Sequence, residues 1–174
     1  MIIPKIFILD VDGVMTNGQF IYSKEGKVLK VFGADDNDGL SLLKEFIDIR
    51  FVTGDKKGFD ISKKRIETDM GFKIDLVSTI KRIDWIKDQH NTEEVIYMGD
   101  GIFDYIVMRE VGYSIAPENA DPLAKKYANF VTKRSGANRA VAEASIHILN
   151  KFFGGFDEKN PFSKGHKFSG EWQA

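Results

Sequence analysis

The feature that most limits the fold is a set of short apolar runs that stop abruptly on polar residues. Residues 6–9 run into Asp10, with Asp12 two positions later. Residues 49–52 stop at Thr53-Gly54, and Val95–Met98 stops at Gly99-Asp100. Continuous apolar runs of this length, with no alternation, are typical of strands covered on both faces. The segments between them carry a helical period instead. Leu40, Leu42, Leu43, Phe46 and Ile47 follow Asp38, a predicted N-cap, and Phe59, Ser62, Ile66 and Met70 mark a helix face ending near Gly71. Residues 74–77 read as a weak strand, and Ile80, Ile83 and Ile86 as the next helix. Helix 105–111, strand Tyr113–Ala116, helix 121–127, strand 129–131 and helix 138–153 complete the alternation.

Strands alternating with helices predict an α/β fold, a doubly wound Rossmann-like parallel sheet with helices on both faces. Two β-prone runs, 19–22 and 28–32, flank Lys24-Glu25-Gly26-Lys27 and predict a β-hairpin flap after the first strand. Between Asp12 and Thr53 no cap domain fits beyond that flap. A chain of 174 residues suits one domain, expected over 1–153. The stretch 154–174, rich in Gly, Lys and Phe without a period, is expected to be a tail, disordered or docked on a neighbouring subunit.

Composition narrows the partners. A net charge of -1 supplies no basic field for nucleic acid. The absence of cysteine rules out disulfides and thiolate metal sites. Residues 1–9 are broken by Pro4 and Lys5, so they read as neither a signal peptide nor a membrane span, and a soluble cytoplasmic protein is expected. His90, His147 and His166 show no ligand spacing.

In a doubly wound sheet the carboxyl ends of parallel strands share one edge, where ligands bind. That edge would gather Asp10, Asp12, Thr53 and Asp100, with Asp104 one helical turn beyond Asp100. Two unit charges ~4 Å apart repel by roughly 4 kcal/mol at an effective dielectric near 20. Either some of these aspartates are protonated or a cation lies among them, and an all-oxygen set favours a hard ion, magnesium first. A lysine from another element would complete the neutralisation.

ILDVDGVMT, FVTGD, the lysine of TIKRIDWI, and YMGDGIFDYIVM resemble the four ordered motifs of the haloacid dehalogenase superfamily. The hairpin YSKEGKVLKVF, ADDNDGLSLL and the segment from GYSIAPENADP to ANRAVAEA are similar to its small cap-less phosphatases of the 3-deoxy-D-manno-octulosonate 8-phosphate (KDO 8-phosphate) type. The resemblance implies a phosphatase using Mg2+ and a phosphorylated 3-deoxy-2-keto sugar acid of eight or nine carbons, assembled as a homotetramer. It implies Asp10 as nucleophile and Asp12 as general acid and base. It also implies magnesium on the Asp10 carboxylate, the Asp12 carbonyl and Asp100. Thr53 and Gly54 would bind phosphoryl oxygens, Lys81 would supply positive charge with Arg82 as its substitute, and Asp104 would orient a water or the lysine. Three positions and one segment depart from the pattern: Asp55 replaces an arginine, Asn37 a glycine and Ala142 an arginine, and Ile80-Lys81-Arg82 alters the third motif. These departures raise a second reading, a relative with weak or no catalysis in a structural or regulatory role. A phospho-aspartate receiver is a more distant third.

Overall fold

No face of β1 (Ile6–Asp10) meets solvent, since all five residues are buried. Phe7 and Leu9 point into one apolar layer, and Ile6 and Ile8 into the other. Burying such a side chain contributes about 1.5–3 kcal/mol, and a strand this apolar is stable only between two coverings. The computed structural model describes residues 2–159 and supplies both coverings. β4 (Asp48–Thr53), β5 (Lys73–Leu76), β6 (Val95–Met98), β7 (Tyr113–Ala116) and β8 (Phe130–Val131) join β1 in a six-stranded sheet ordered β5-β4-β1-β6-β7-β8. Every pairing in it is parallel.

Helices α1 (Asp35–Leu43) and α6 (Ala140–Phe152) bury Leu40, Leu43, Val141, Ala144 and Ile148 on the Phe7/Leu9 side. Helices α3 (Arg82–Lys87), α4 (Tyr105–Met108) and α5 (Pro122–Tyr127) bury Ile83, Ile86, Val107, Met108 and Ala124 on the other. The expected doubly wound architecture is therefore the one observed. The chain leaves β1 toward β4 and β5, then returns across β1 to β6. This places the reversal of strand order, the preferred ligand position in such sheets, beside Asp10.

Several local expectations are corrected. Helix α1 starts at Asp35 after Ala34 with no side-chain cap, so Asp38 lies inside the helix rather than at its N-cap. Helix α2 (Phe59–Lys63) widens into a π-helical turn over Lys64–Asp69, which seats Ile66 in the core. Ile80 belongs to a 3-10 turn, Thr79–Lys81, and is 64% exposed, so the apolar face of α3 begins after it. Asp36 instead does the capping. Fully buried, its carboxylate accepts the N–H groups of Val141 and Ala142, both at 3.0 Å, at the start of α6.

The hairpin forms as expected from β2 (Thr16–Ser23) and β3 (Gly26–Phe32), antiparallel and apart from the main sheet. Among the described residues nothing else intervenes between β1 and α1. Phe152, Phe153 and Phe156 pack against the chain's own core. The rest of the expected tail, with Phe162 and Phe168, lies outside the described residues.

Candidate active site

Asp10 ends β1, and its Oδ1 accepts the Val11 N–H at 2.9 Å. One carboxylate oxygen from each of Asp10, Asp100 and Asp104 falls within 4.8 Å of the others. Asp104 is already fully engaged. Its Oδ2 accepts the N–H groups of Asp100 and Gly101, and its Oδ1 accepts the Tyr97 hydroxyl at 2.6 Å. It thus shapes the loop that carries Asp100. Asp100 rests against the bare Cα of Gly13: a Cβ there would lie 1.9 Å from Asp100 Oδ2, and Gly13 has φ +90°. Only glycine allows the carboxylate after β6 to come this close to the loop after β1.

Arg82 enters from the first turn of α3 and is fully buried. Its guanidinium donates to Asp10 Oδ1 at 3.3 Å, Asp104 Oδ1 at 3.1 Å and the Tyr97 hydroxyl at 2.5 Å. On the opposite side Asp12 receives the Thr53 hydroxyl at 3.2 Å on Oδ2. Lys30 of β3 sets its ammonium 2.8 and 3.0 Å from the two Asp12 oxygens. The same ammonium reaches Asp55 Oδ2 at 2.9 Å and Ser62 Oγ at 2.8 Å. Lys27 also pairs with Asp55 and lies 3.3 Å from the Phe20 ring centroid.

The charges do not balance. Asp10, Asp12, Asp55, Asp100 and Asp104 face Arg82, Lys27 and Lys30, which leaves an excess of two negative charges when all are ionised. The strain appears as proton affinity. Burial, then the neighbouring Asp10 and Asp104, pushes the Asp100 carboxyl up to about 8. Burial pushes Asp10 up to about 6 even though Arg82 opposes it. Burial disfavours the Arg82 cation, but Asp10, Tyr97 and Asp104 outweigh it and hold the guanidinium firmly protonated. A divalent cation beside Asp10 and Asp100 matches the excess in sign and size, and two carboxylate oxygens are hard ligands suited to magnesium.

A family model described as haloacid dehalogenase-like hydrolase matches residues 86–144. The 3-deoxy-D-manno-octulosonate 8-phosphate phosphatase KdsC of Yersinia pestis is 32% identical over 152 residues, covering 83% of this chain and 79% of the relative. The chain belongs to the haloacid dehalogenase-like hydrolases. Among solved structures of the family, the Moraxella catarrhalis 3-deoxy-D-manno-octulosonate 8-phosphate phosphatase, in complex with magnesium, phosphate and KDO, superposes with a TM-score of 0.71 at 28% identity. The match covers 84% of this chain and 86% of that one. The cobalt-bound enzyme of Haemophilus influenzae gives 0.75 at 29% identity, with 84% and 88% covered.

Against the family's motif order, Asp10, Asp12, Thr53, Asp100 and Asp104 converge as expected. Gly54, directly after Thr53, is exposed, with Thr79 Oγ1 3.2 Å from where a Cβ would lie. Lys81 does not converge. It lies in the exposed 3-10 turn, and the cation that enters the site is the next residue, Arg82. The reason is helix phase: with Ile80 outside, the buried stripe of α3 is Arg82, Ile83 and Ile86. Sequence reasoning also missed Lys30, Lys27, Tyr97 and the Asn119 bridge, which donates to the Gly13 carbonyl at 2.9 Å and accepts the Gly136 N–H at 2.6 Å.

Proposed function

We propose that this chain is a magnesium-dependent phosphomonoesterase that acts on a phosphorylated 3-deoxy-2-keto sugar acid, KDO 8-phosphate or a nine-carbon analogue, through an aspartyl-phosphate on Asp10. The observation that carries the reading is the Asp10–Asp100–Asp104 cluster with Arg82 bonded into it. The substrate class rests on the KdsC relative and the KDO-containing neighbour.

In this mechanism the Asp10 carboxylate attacks phosphorus and the P–O bond to the sugar breaks. Asp12 gives its proton to the departing alkoxide oxygen. It then takes a proton from the water that cleaves the acyl phosphate, which returns Asp10 and releases phosphate. The Thr53 hydroxyl and Gly54 N–H bind phosphoryl oxygens, and Arg82, in place of Lys81, keeps Asp10 ionised and meets charge developing in transfer. Asp104 orients Arg82 and the Asp100 loop. The Asp10 and Asp100 carboxylates and the Asp12 carbonyl would hold magnesium, which when bound neutralises nucleophile and phosphate so that they can approach.

We further propose that residues 1–153 form the phosphatase domain, with 154–174 as a tail, and that the protein works as a cytoplasmic homotetramer. Exposed Ile21, Tyr22, Val28, Leu29 and Val31 on the hairpin support the assembly. Among the described residues no helix is long and apolar enough to cross a membrane. The reading of a catalytically weak relative loses two of its grounds, because Arg82 supplies the third-motif cation and Asp55 is neutralised by two lysines. A phosphate-release screen over KDO 8-phosphate, nine-carbon sugar-acid phosphates and hexose phosphates, with magnesium and with EDTA, tests the proposal. Magnesium-dependent release with preference for a sugar acid is expected, and no release from any ester would overturn it.

A further inference from the structure

The aspartyl-phosphate reading leaves the two buried lysines of the hairpin, Lys27 and Lys30, without a task, and Lys30 is the deeper. Lys30 belongs to the hairpin, whose neighbouring side chains Val28, Leu29 and Val31 are 44%, 56% and 46% exposed, yet its own side chain is 0% exposed. A strand that turns its valines outward and buries a lysine inverts the usual pattern, so the inward position must be compensated by specific partners. The partners are the two Asp12 oxygens, Asp55 Oδ2 and Ser62 Oγ, all within 3.0 Å.

We infer that Lys30 is a positioning residue for Asp12, and that Asp55 anchors it. This rests on the proposed role of Asp12 as proton donor. Two contacts fix where the Asp12 carboxyl points: the Thr53 hydroxyl, from the rigid end of β4, and the Lys30 ammonium, from the hairpin. As the proton passes from Asp12 to the ester oxygen, negative charge develops on the carboxylate, and Lys30 already stands beside it. Lys30 stabilises the Asp12 carboxylate before the proton is taken up as well as after it is given, so its contribution to leaving-group protonation is to aim the carboxyl rather than to drive the transfer. Asp55 keeps the ammonium in place. Burial disfavours its charge, but hydrogen bonds from Lys27 and Lys30 hold its carboxyl below the ordinary range. It also accepts the Gly58 N–H at 3.1 Å, which ties the hairpin lysines to the loop before α2. An aspartate where the family resemblance leads one to expect arginine thus has an assignment: it receives the hairpin's cations.

The test uses aryl phosphates from p-nitrophenyl to phenyl and 4-methoxyphenyl, with magnesium present. Cleavage of a good leaving group needs little protonation, whereas a poor one depends on it. The value of kcat/KM reports the steps up to phosphoryl transfer, and its ratio between two substrates does not depend on how much of a variant is folded. For Lys30→Met the expected loss is about 10- to 100-fold greater on 4-methoxyphenyl than on p-nitrophenyl phosphate, a fraction of the 10²–10⁴ that general acid catalysis supplies. Asp55→Asn should steepen the same dependence less. Equal losses across the series would overturn the inference and make Lys30 a binding or structural residue. Wild-type enzyme inert toward every ester would instead overturn the phosphatase reading itself.

Discussion

Arg82 and Lys81 are adjacent, equally charged at neutral pH and opposite in surroundings, so exchanging each for methionine separates the buried role from the exposed one. In Arg82→Met the alkyl volume is roughly kept, but the guanidinium that bonds Asp10, Asp104 and Tyr97 is lost. Removing one partner from a buried ion pair costs about 3–5 kcal/mol because the other charges remain buried. For a domain of this size about 1 kcal/mol corresponds to 2–4 °C, so the metal-free variant should melt roughly 6–20 °C below wild type. Loss of a preorganised charge at the reacting group should lower kcat by about 10²–10³. Arg82 is also the largest influence opposing burial at Asp10, ahead of the Val11 N–H, so its removal raises the Asp10 carboxyl further and moves the acid limb of activity to higher pH. Lys81→Met, at an exposed turn, should stay within ~0.5 kcal/mol and keep its turnover. Urea unfolding in EDTA and steady-state kinetics in magnesium give both quantities. If Lys81→Met lost more turnover than Arg82→Met, the assignment of the third-motif cation would be wrong.

Asp10→Asn should abolish turnover while melting above wild type in EDTA near pH 8, since a buried charge is gone; unchanged hydrolysis, in a preparation free of other phosphatases, rejects the nucleophile. Asp100 and Asp10 both have raised carboxyl pKa values in the fold, so they stabilise it in their protonated form. That contribution is full below the unfolded value of 3.8 and is lost as pH rises through about 6 and then about 8. Melting temperature in EDTA should therefore fall with pH over that window, and magnesium should raise it more at pH 8 than at pH 5.5; a pH-independent magnesium effect contradicts this. Gly13→Ala puts a Cβ 1.9 Å from Asp100 Oδ2 and should weaken magnesium affinity at least about tenfold, as loss of ligand support does. Calorimetric titration giving wild-type affinity would show that Asp100 can shift without consequence.

The sheet and its polar edge were legible in the sequence because the signal is local. An apolar run of four residues can hardly be stable except between two layers, and the side chain that ends it must lie at the sheet's edge. Asp10, Thr53 and Asp100 converge for that reason, whatever the lengths of the connections between them. Arg82 was not legible in the same way. Its place depends on where α3 begins, and one apolar residue, Ile80, shifted the inferred phase by counting as core while it is 64% exposed. In a six-residue helix no second turn was available to correct the error.

Lys30 was hidden by a stronger rule. Binary patterning assigns Val28, Leu29 and Val31 to the interior and Lys27 and Lys30 to water, and β3 does the reverse. What decides the inversion is charge at a distance in sequence. Asp12 and Asp55, 18 and 25 residues from Lys30 along the chain, form with Asp10, Asp100 and Asp104 a group of five carboxylates, which Arg82 alone cannot neutralise. Two ammonium groups from the nearest strand reduce the excess to what one divalent ion carries, and the apolar side chains between them are left outward, available to a neighbouring copy. The carboxylates at the strand ends thus account both for the ion the site favours and for the side of the hairpin that faces the site. Counting the charges that must meet at the sheet edge, before assigning the hairpin's faces by hydrophobicity, is the step that would have located Lys27 and Lys30.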